Sequence, residues 1–143
     1  MKNKIVLIGA GSAVFSLSMI KDICLTPKLQ GSTVCLVDLN EERLDTAYSL
    51  CERYAKELGM NLNITKTTNR EEALVGAEYV VNTALACNHQ RMQDGLNIAK
   101  ELGYHYGSSF HIMHDEGFWI NFYQFKIIMS IQKRLNGIFV FFE

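Results

Sequence analysis

Residues 4–16 read KIVLIGAGSAVFS. A short apolar run with β-branched residues enters a glycine turn and continues as a helix from Ser12 to about Cys24. Strand, tight turn and helix in that order open a mononucleotide-binding unit. Gly9 allows the tight turn. Gly11 has no Cβ and lets the backbone approach a pyrophosphate, and the helix beginning at Ser12 offers free N–H groups and the positive end of its dipole to that anion. The third glycine of G-x-G-x-x-G is missing. Val14 stands in its place, which predicts that the helix packs against the strand with a small adjustment. Taken alone, the turn also fits an ordinary strand-to-helix connection in an α/β domain.

Beyond Ser16 the chain alternates strand and helix. Residues 33–37 (TVCLV) form a second strand that ends at Asp38. Asn40 caps a helix with acidic residues in its first turn, NEERLDTAYSLCERYAKELG, closed by Gly59. Pro27 and Gly31 mark the return loop before it. NLNITKTT (61–68) reads as a third strand, NREEALVGA (69–77) as a short helix and EYVVNT (78–83) as a fourth strand. A helix over about 90–102 follows, then a polar and aromatic loop (104–116), a long helix (117–135) and a fifth strand, GIFVFF (137–142). Such βα units predict a Rossmann-type parallel sheet, order 3-2-1-4-5, with helices on both faces.

Asp38 sits where a dinucleotide fold needs an acceptor for the adenosine ribose hydroxyls, and a carboxylate there repels a 2′-phosphate. The fourth strand ends in NTALAC, at the switch point where ligand-contacting loops gather. Turn, Asp38 and this loop together point to NAD rather than NADP.

Composition sets the remaining bounds. The 143 residues suit one domain, spanning 1–143, and a formal net charge of −1 with no basic run argues against nucleic-acid and polybasic membrane partners. IVLIGA is too short for a signal-peptide core, and no segment reaches the length of a membrane span. Cys24, Cys35, Cys51 and Cys87 form no C-x-x-C pair and read as reduced thiols in a cytoplasmic protein.

Four stretches carry a more specific likeness: KIVLIGAGSAVFS (4–16), LVDLNEERL (36–44), GAEYVVNTA (76–84) and HIMHDEGFWINFYQF (111–125). Together they resemble the N-terminal, NAD-binding domain of family 4 glycoside hydrolases, the NAD- and metal-dependent α-glucosidases, α-galactosidases, α-galacturonidases and 6-phospho-glycosidases. The lactate/malate dehydrogenase group shares the fold and the aspartate but lacks the GSAVFS and HDEGFWINFYQ character. The resemblance implies glycoside hydrolysis by oxidation at C3 of the sugar, loss of the C2 proton, elimination of the glycosidic oxygen, addition of water and return of the hydride. A divalent metal, usually manganese, serves as Lewis acid.

Residue by residue, the resemblance implies that Gly9, Gly11, Ser12, Ala13, Val14 and Phe15 form the phosphate turn. Asp38 then holds the ribose, and Arg43 neighbours the adenine. Asn82, Thr83 and Ala84 lie beside the cofactor, Asn88 and His89 lie where cofactor and sugar meet, and Asp115 faces the sugar. The family's metal ligands (a cysteine and a histidine), its tyrosine base and an asparagine-proline pair that contacts the sugar all lie beyond the fifth strand. NGIFVFFE (136–143) ends before those positions. The implied chain is therefore truncated, with the catalytic and metal-binding domain absent, and binds NAD without glycosidase turnover.

Other constellations read as packing. His105, His111, His114 and Asp115 match no standard metal-ligand spacing, and Cys87 with His89 lacks an orienting group for nucleophilic catalysis. The helix 117–135 is apolar on almost every face, which predicts burial against another domain or a second copy of the chain. Two further readings stay open at this level: a small NAD-dependent dehydrogenase of the lactate/malate type with His89 as proton donor, and a non-catalytic NAD-binding oligomerisation module.

Overall fold

The computed structural model describes residues 3–84, 89–104, 126–131 and 138–141. Two compact units are present: Met1–Ala84 with Arg134–Glu143, and Leu85–Lys133. The first unit carries the sheet. Its strands are β1 (Lys4–Ile8), β2 (Thr33–Val37), β3 (Asn63–Thr67), β4 (Tyr79–Asn82) and β5 (Ile138–Phe141). All pairings are parallel and the order is β3-β2-β1-β4-β5, the order expected from the sequence.

The register aligns like residues across the sheet: Leu7 lies opposite Leu36 and Val81, and Ile8 lies opposite Val37 and Asn82. Because side chains alternate between faces, Ile5, Leu7, Val34, Leu36 and Val81 share one face. They pack with Ile20, Ile23 and Cys24 of α1 (Ala13–Cys24) and with Leu44, Cys51 and Ala55 of α2 (Glu41–Glu57). The opposite face carries Val6, Ile8, Cys35, Val37, Val80 and Asn82, all buried as well. Burial on both faces explains why β1, β2 and β4 read as continuous apolar runs rather than as alternating ones.

The helices follow local rules. In α1 the buried residues Ser16, Ile20, Ile23 and Cys24 recur at three- and four-residue spacing, and in α2 Leu44, Ala47, Cys51 and Ala55 do the same. Asn40 caps α2, its side-chain oxygen accepting the Arg43 N–H at 2.9 Å, with Glu41 and Glu42 in the first turn. The return loop holds a single 3₁₀ turn, Pro27–Leu29. Short α3 (Arg70–Leu74) is capped by Asn69.

The second unit contains α4 (His89–Glu101) and a helical segment over 126–131. In that segment Ile131 is buried and Met129 is exposed; the rest of the predicted helix 117–135 lies outside the described residues. Among the described residues, no helix is long and apolar enough to cross a membrane.

Candidate functional site

The carboxyl end of the sheet brings three separate segments together. The first is the glycine turn. Gly9 adopts φ +89°, a left-handed conformation that side chains rarely tolerate. A Cβ on Gly9 would lie 2.6 Å from the Ala84 nitrogen and 2.8 Å from the Thr83 carbonyl carbon, so the residue is pressed against the backbone leaving β4. The Gly9 and Ala10 N–H groups both donate to the Val37 carbonyl, at 2.8 and 3.0 Å. The turn is thereby tied to the end of β2.

The second segment is that end of β2. Asp38 extends its carboxylate over the turn, with Oδ2 accepting the Gly11 N–H at 2.8 Å and Oδ1 accepting the Asn40 N–H at 2.9 Å. Leu39 beside it is 92% exposed. Gly11, Ala13, Asn40, Glu42, Arg43 and Thr46 line a recess of about 380 Å³, within the size range of small-molecule sites. Arg43, the residue that the resemblance set beside the adenine, is one of the walls of this recess. Asn40 was read from the sequence only as a helix cap, and Thr46 and the exposed Leu39 were not singled out. An apolar residue wedged between an aspartate and a helix cap is the signal that would have found Leu39.

The third segment is the exit of β4. The Thr83 N–H and hydroxyl both donate to the Ile8 carbonyl, at 2.8 and 3.0 Å, which locks the β4 end to the β1 end. Asn82 is fully buried, and among the described residues neither its amide nitrogen nor its amide oxygen has a hydrogen-bond partner. A buried amide left unmet on both sides is rare and costly in a native interior.

The N-terminus of α1 carries no charge of its own to offset the helix dipole. Ser12 stands at the cap position without a side-chain hydrogen bond to the helix, and the first turn holds no acidic residue. The positive end of the helix dipole is therefore uncompensated from within the helix.

Val14 corrects one expectation. It is 83% exposed, so it does not mediate helix-to-strand packing. That contact falls to Ser16, fully buried, whose hydroxyl donates to the Ala10 carbonyl at 2.8 Å. The helix begins at Ala13, and at about 100° per residue its second position turns outward while the fourth turns in.

Of the remaining sequence candidates, His89 begins α4. Asn88, Cys87, His105, His111, His114 and Asp115 lie outside the described residues. Among the described residues no group of three His, Cys, Asp or Glu side chains could hold a metal ion. Cys24, Cys35 and Cys51 are free thiols and buried.

The family model for family 4 glycosyl hydrolases matches residues 4–138. An α-galactosidase of Rhizobium meliloti (strain 1021) is 31% identical over 100 residues, covering 70% of this chain and 20% of its own length. An α-glucosidase of Erwinia rhapontici is 36% identical over 81 residues, covering 57% of this chain and 18% of its own. The fold matches a 6-phospho-α-glucosidase from gut microorganisms, solved with NAD and Mn²⁺, at TM-score 0.80 and 16% identity, over 99% of this chain and 33% of that one. It also matches a 6-phospho-β-glucosidase of Thermotoga maritima, solved with manganese, NAD⁺ and glucose-6-phosphate, at TM-score 0.75 and 19% identity, over 98% and 33%. The chain thus spans about a fifth of the length of the curated relatives and a third of the solved ones.

Proposed function

Because this chain belongs to family 4 of the glycosyl hydrolases, we propose that its sheet end holds NAD, as the cofactor-binding part of a glycosidase acting on a sugar glycoside. The observation that carries the reading is the Asp38 carboxylate, set between the glycine turn and the recess lined by Arg43. Bound there, NAD supplies a hydride acceptor and donor for oxidation and re-reduction at C3 of the sugar.

The chain's own residues bind and orient. The amides of the first turn of α1, beginning at Ala13, receive the pyrophosphate. Each carboxylate oxygen can accept more than one hydrogen bond, so Asp38 keeps capacity for the two ribose hydroxyls after meeting Gly11 and Asn40. Leu39 offers its exposed apolar surface to the adenine, with Arg43 along the edge. Thr83 and Ala84 close the side nearest the fourth strand. A 2′-phosphate would meet Asp38 and Glu42, two like charges, and is disfavoured.

The manganese of the solved relatives finds no matching set of ligands among the described residues. The role we assign to the carboxyl end of the sheet is cofactor binding. Buried, unpaired thiols at Cys24, Cys35 and Cys51 support a reducing, cytoplasmic setting. We also assign self-association to the apolar stretch 117–135. Light scattering on the purified chain checks it, and a monomer at all concentrations would remove that assignment.

Calorimetric titration of the chain with NAD⁺, with NADP⁺ as control, tests the central reading. Expected is saturable NAD⁺ binding, with NADP⁺ weaker by about tenfold or more, equivalent to roughly 1.4 kcal/mol. No heat with NAD⁺ from a folded sample would overturn it.

A further inference from the structure

We infer that Asp38 is a positioning residue of the phosphate turn, in addition to the ribose contact on which the proposed function rests. Three consecutive amides of the turn are anchored to the end of β2. Gly9 and Ala10 reach the Val37 carbonyl, and Gly11 reaches the Asp38 carboxylate at 2.8 Å. The third anchor is the only one of the three made by a side chain, so it alone can be removed without altering the backbone.

Gly11 identifies what this anchor demands. Its φ is not in the left-handed region, unlike that of Gly9, so an alanine is conformationally acceptable there. What excludes a side chain is Asp38 itself. A Cβ on Gly11 would lie 2.7 Å from Oδ2, 2.8 Å from Cγ and 3.1 Å from Oδ1, and these are its three nearest neighbours. A side chain at the second glycine of the motif would therefore push the carboxylate of the aspartate 27 residues later off its hydrogen bonds, and the pair operates as a unit. The Gly11 N–H is committed to the carboxylate, which leaves phosphate recognition to the amides that follow Ser12. Asn40, held by the other carboxylate oxygen at 2.9 Å, couples the same anchor to the cap of α2.

This pairing predicts a sign opposite to that of simple electrostatics. Removing a negative charge beside an anion site should tighten binding of any phosphate. Removing an anchor should loosen the turn and weaken it. Inorganic pyrophosphate, which has no ribose, separates the two effects.

The experiment compares the wild-type chain with Asp38→Ala, Asp38→Asn, Gly11→Ala and the double variant Gly11→Ala/Asp38→Ala. Amide hydrogen exchange is read by NMR without ligand, and pyrophosphate and NAD⁺ binding by titration. Asp38→Ala is expected to speed exchange at both Gly11 and Asn40 by about tenfold or more, since charge-assisted hydrogen bonds are lost. It is expected to weaken pyrophosphate several-fold. Asp38→Asn keeps one acceptor oxygen and the same shape, so it should fold and release only one of the two amides. Gly11→Ala should be markedly less damaging in the Asp38→Ala background, because the obstructing carboxylate is gone.

Unchanged exchange at Gly11 in both Asp38 variants would overturn the inference, as would pyrophosphate affinity that holds or rises. A wild-type chain that fails to bind NAD⁺ would instead overturn the proposed function, while the exchange comparison would still decide the role of Asp38.

Discussion

Asn82 should be a residue whose replacement makes the protein more stable. It lies at the end of β4, opposite Ile8 and Phe141 in the register, fully buried and with both amide atoms unpartnered among the described residues. Leaving a buried donor or acceptor unmet costs about 1–3 kcal/mol per group on mutational scales. Valine is β-branched, suits a strand and carries no polar atom to leave unmet. Part of the gain will be spent on accommodating its different shape. Asn82→Val is accordingly expected to stabilise the chain by about 1–3 kcal/mol, which for a chain of this size raises Tm by roughly 3–10 °C. Urea unfolding followed by circular dichroism measures the change directly. Asn82→Ala serves as the cavity control and should gain less or lose. The same valine variant should bind NAD⁺ more weakly, since a group kept at a stability cost beside a binding site is a familiar trade-off. If Asn82→Val instead loses 1 kcal/mol or more, the amide has a partner in solution, such as a bound water, and the reasoning fails.

Three further outcomes follow from the same geometry. Gly9→Ala forces a side chain into a left-handed conformation and against the backbone of Thr83 and Ala84 at 2.6–2.8 Å. It should cost about 3 kcal/mol or more, read as a lower urea midpoint or as insoluble protein. Asn40→Ala removes the side-chain acceptor of the Arg43 N–H and should cost about 1 kcal/mol by the same assay. Burial, with a smaller contribution from Cys24, pushes the Cys51 thiol up from 9.0 to about 11. The folded state therefore holds its proton where the unfolded chain releases it. Stability should be unaffected by this group below about pH 9 and fall as pH rises from 9 toward 11, and Cys51→Ala should flatten that slope.

The fold was legible because its signals are local. Glycine and cap residues punctuate apolar runs of strand length, and Ser12, Asn40 and Asn69 each stand at the N-cap position before a helix. Parallel order then follows from βα alternation and the handedness of the connections. The site was legible in its residue types but not in its contacts. Gly11 and Asp38 were both singled out, each for a ligand. That they face each other across 27 residues of chain at 2.8 Å is a tertiary fact with no local signature.

Val14 and Ser16 give the same lesson at shorter range. Motif spacing pointed at position 14 for the helix-to-strand contact, but helix phase decided it. The helix starts at Ala13, so the inward position is Ser16, a small polar residue that tolerates close approach because the Ala10 carbonyl meets its hydroxyl. Asn82 is the inverse case. Within an apolar strand a lone asparagine reads as the strand's polar end, and only the three-dimensional surroundings reveal that both its hydrogen-bonding groups go unmet. Local rules thus account for the elements and their order. The two departures from those rules, a glycine packed against an aspartate carboxylate and an amide without partners among the described residues, both fall at the carboxyl end of the sheet. Violations of local consistency concentrate where a chain has been shaped for binding rather than for folding alone, and their coincidence with the family's cofactor turn is an argument for the site independent of motif matching.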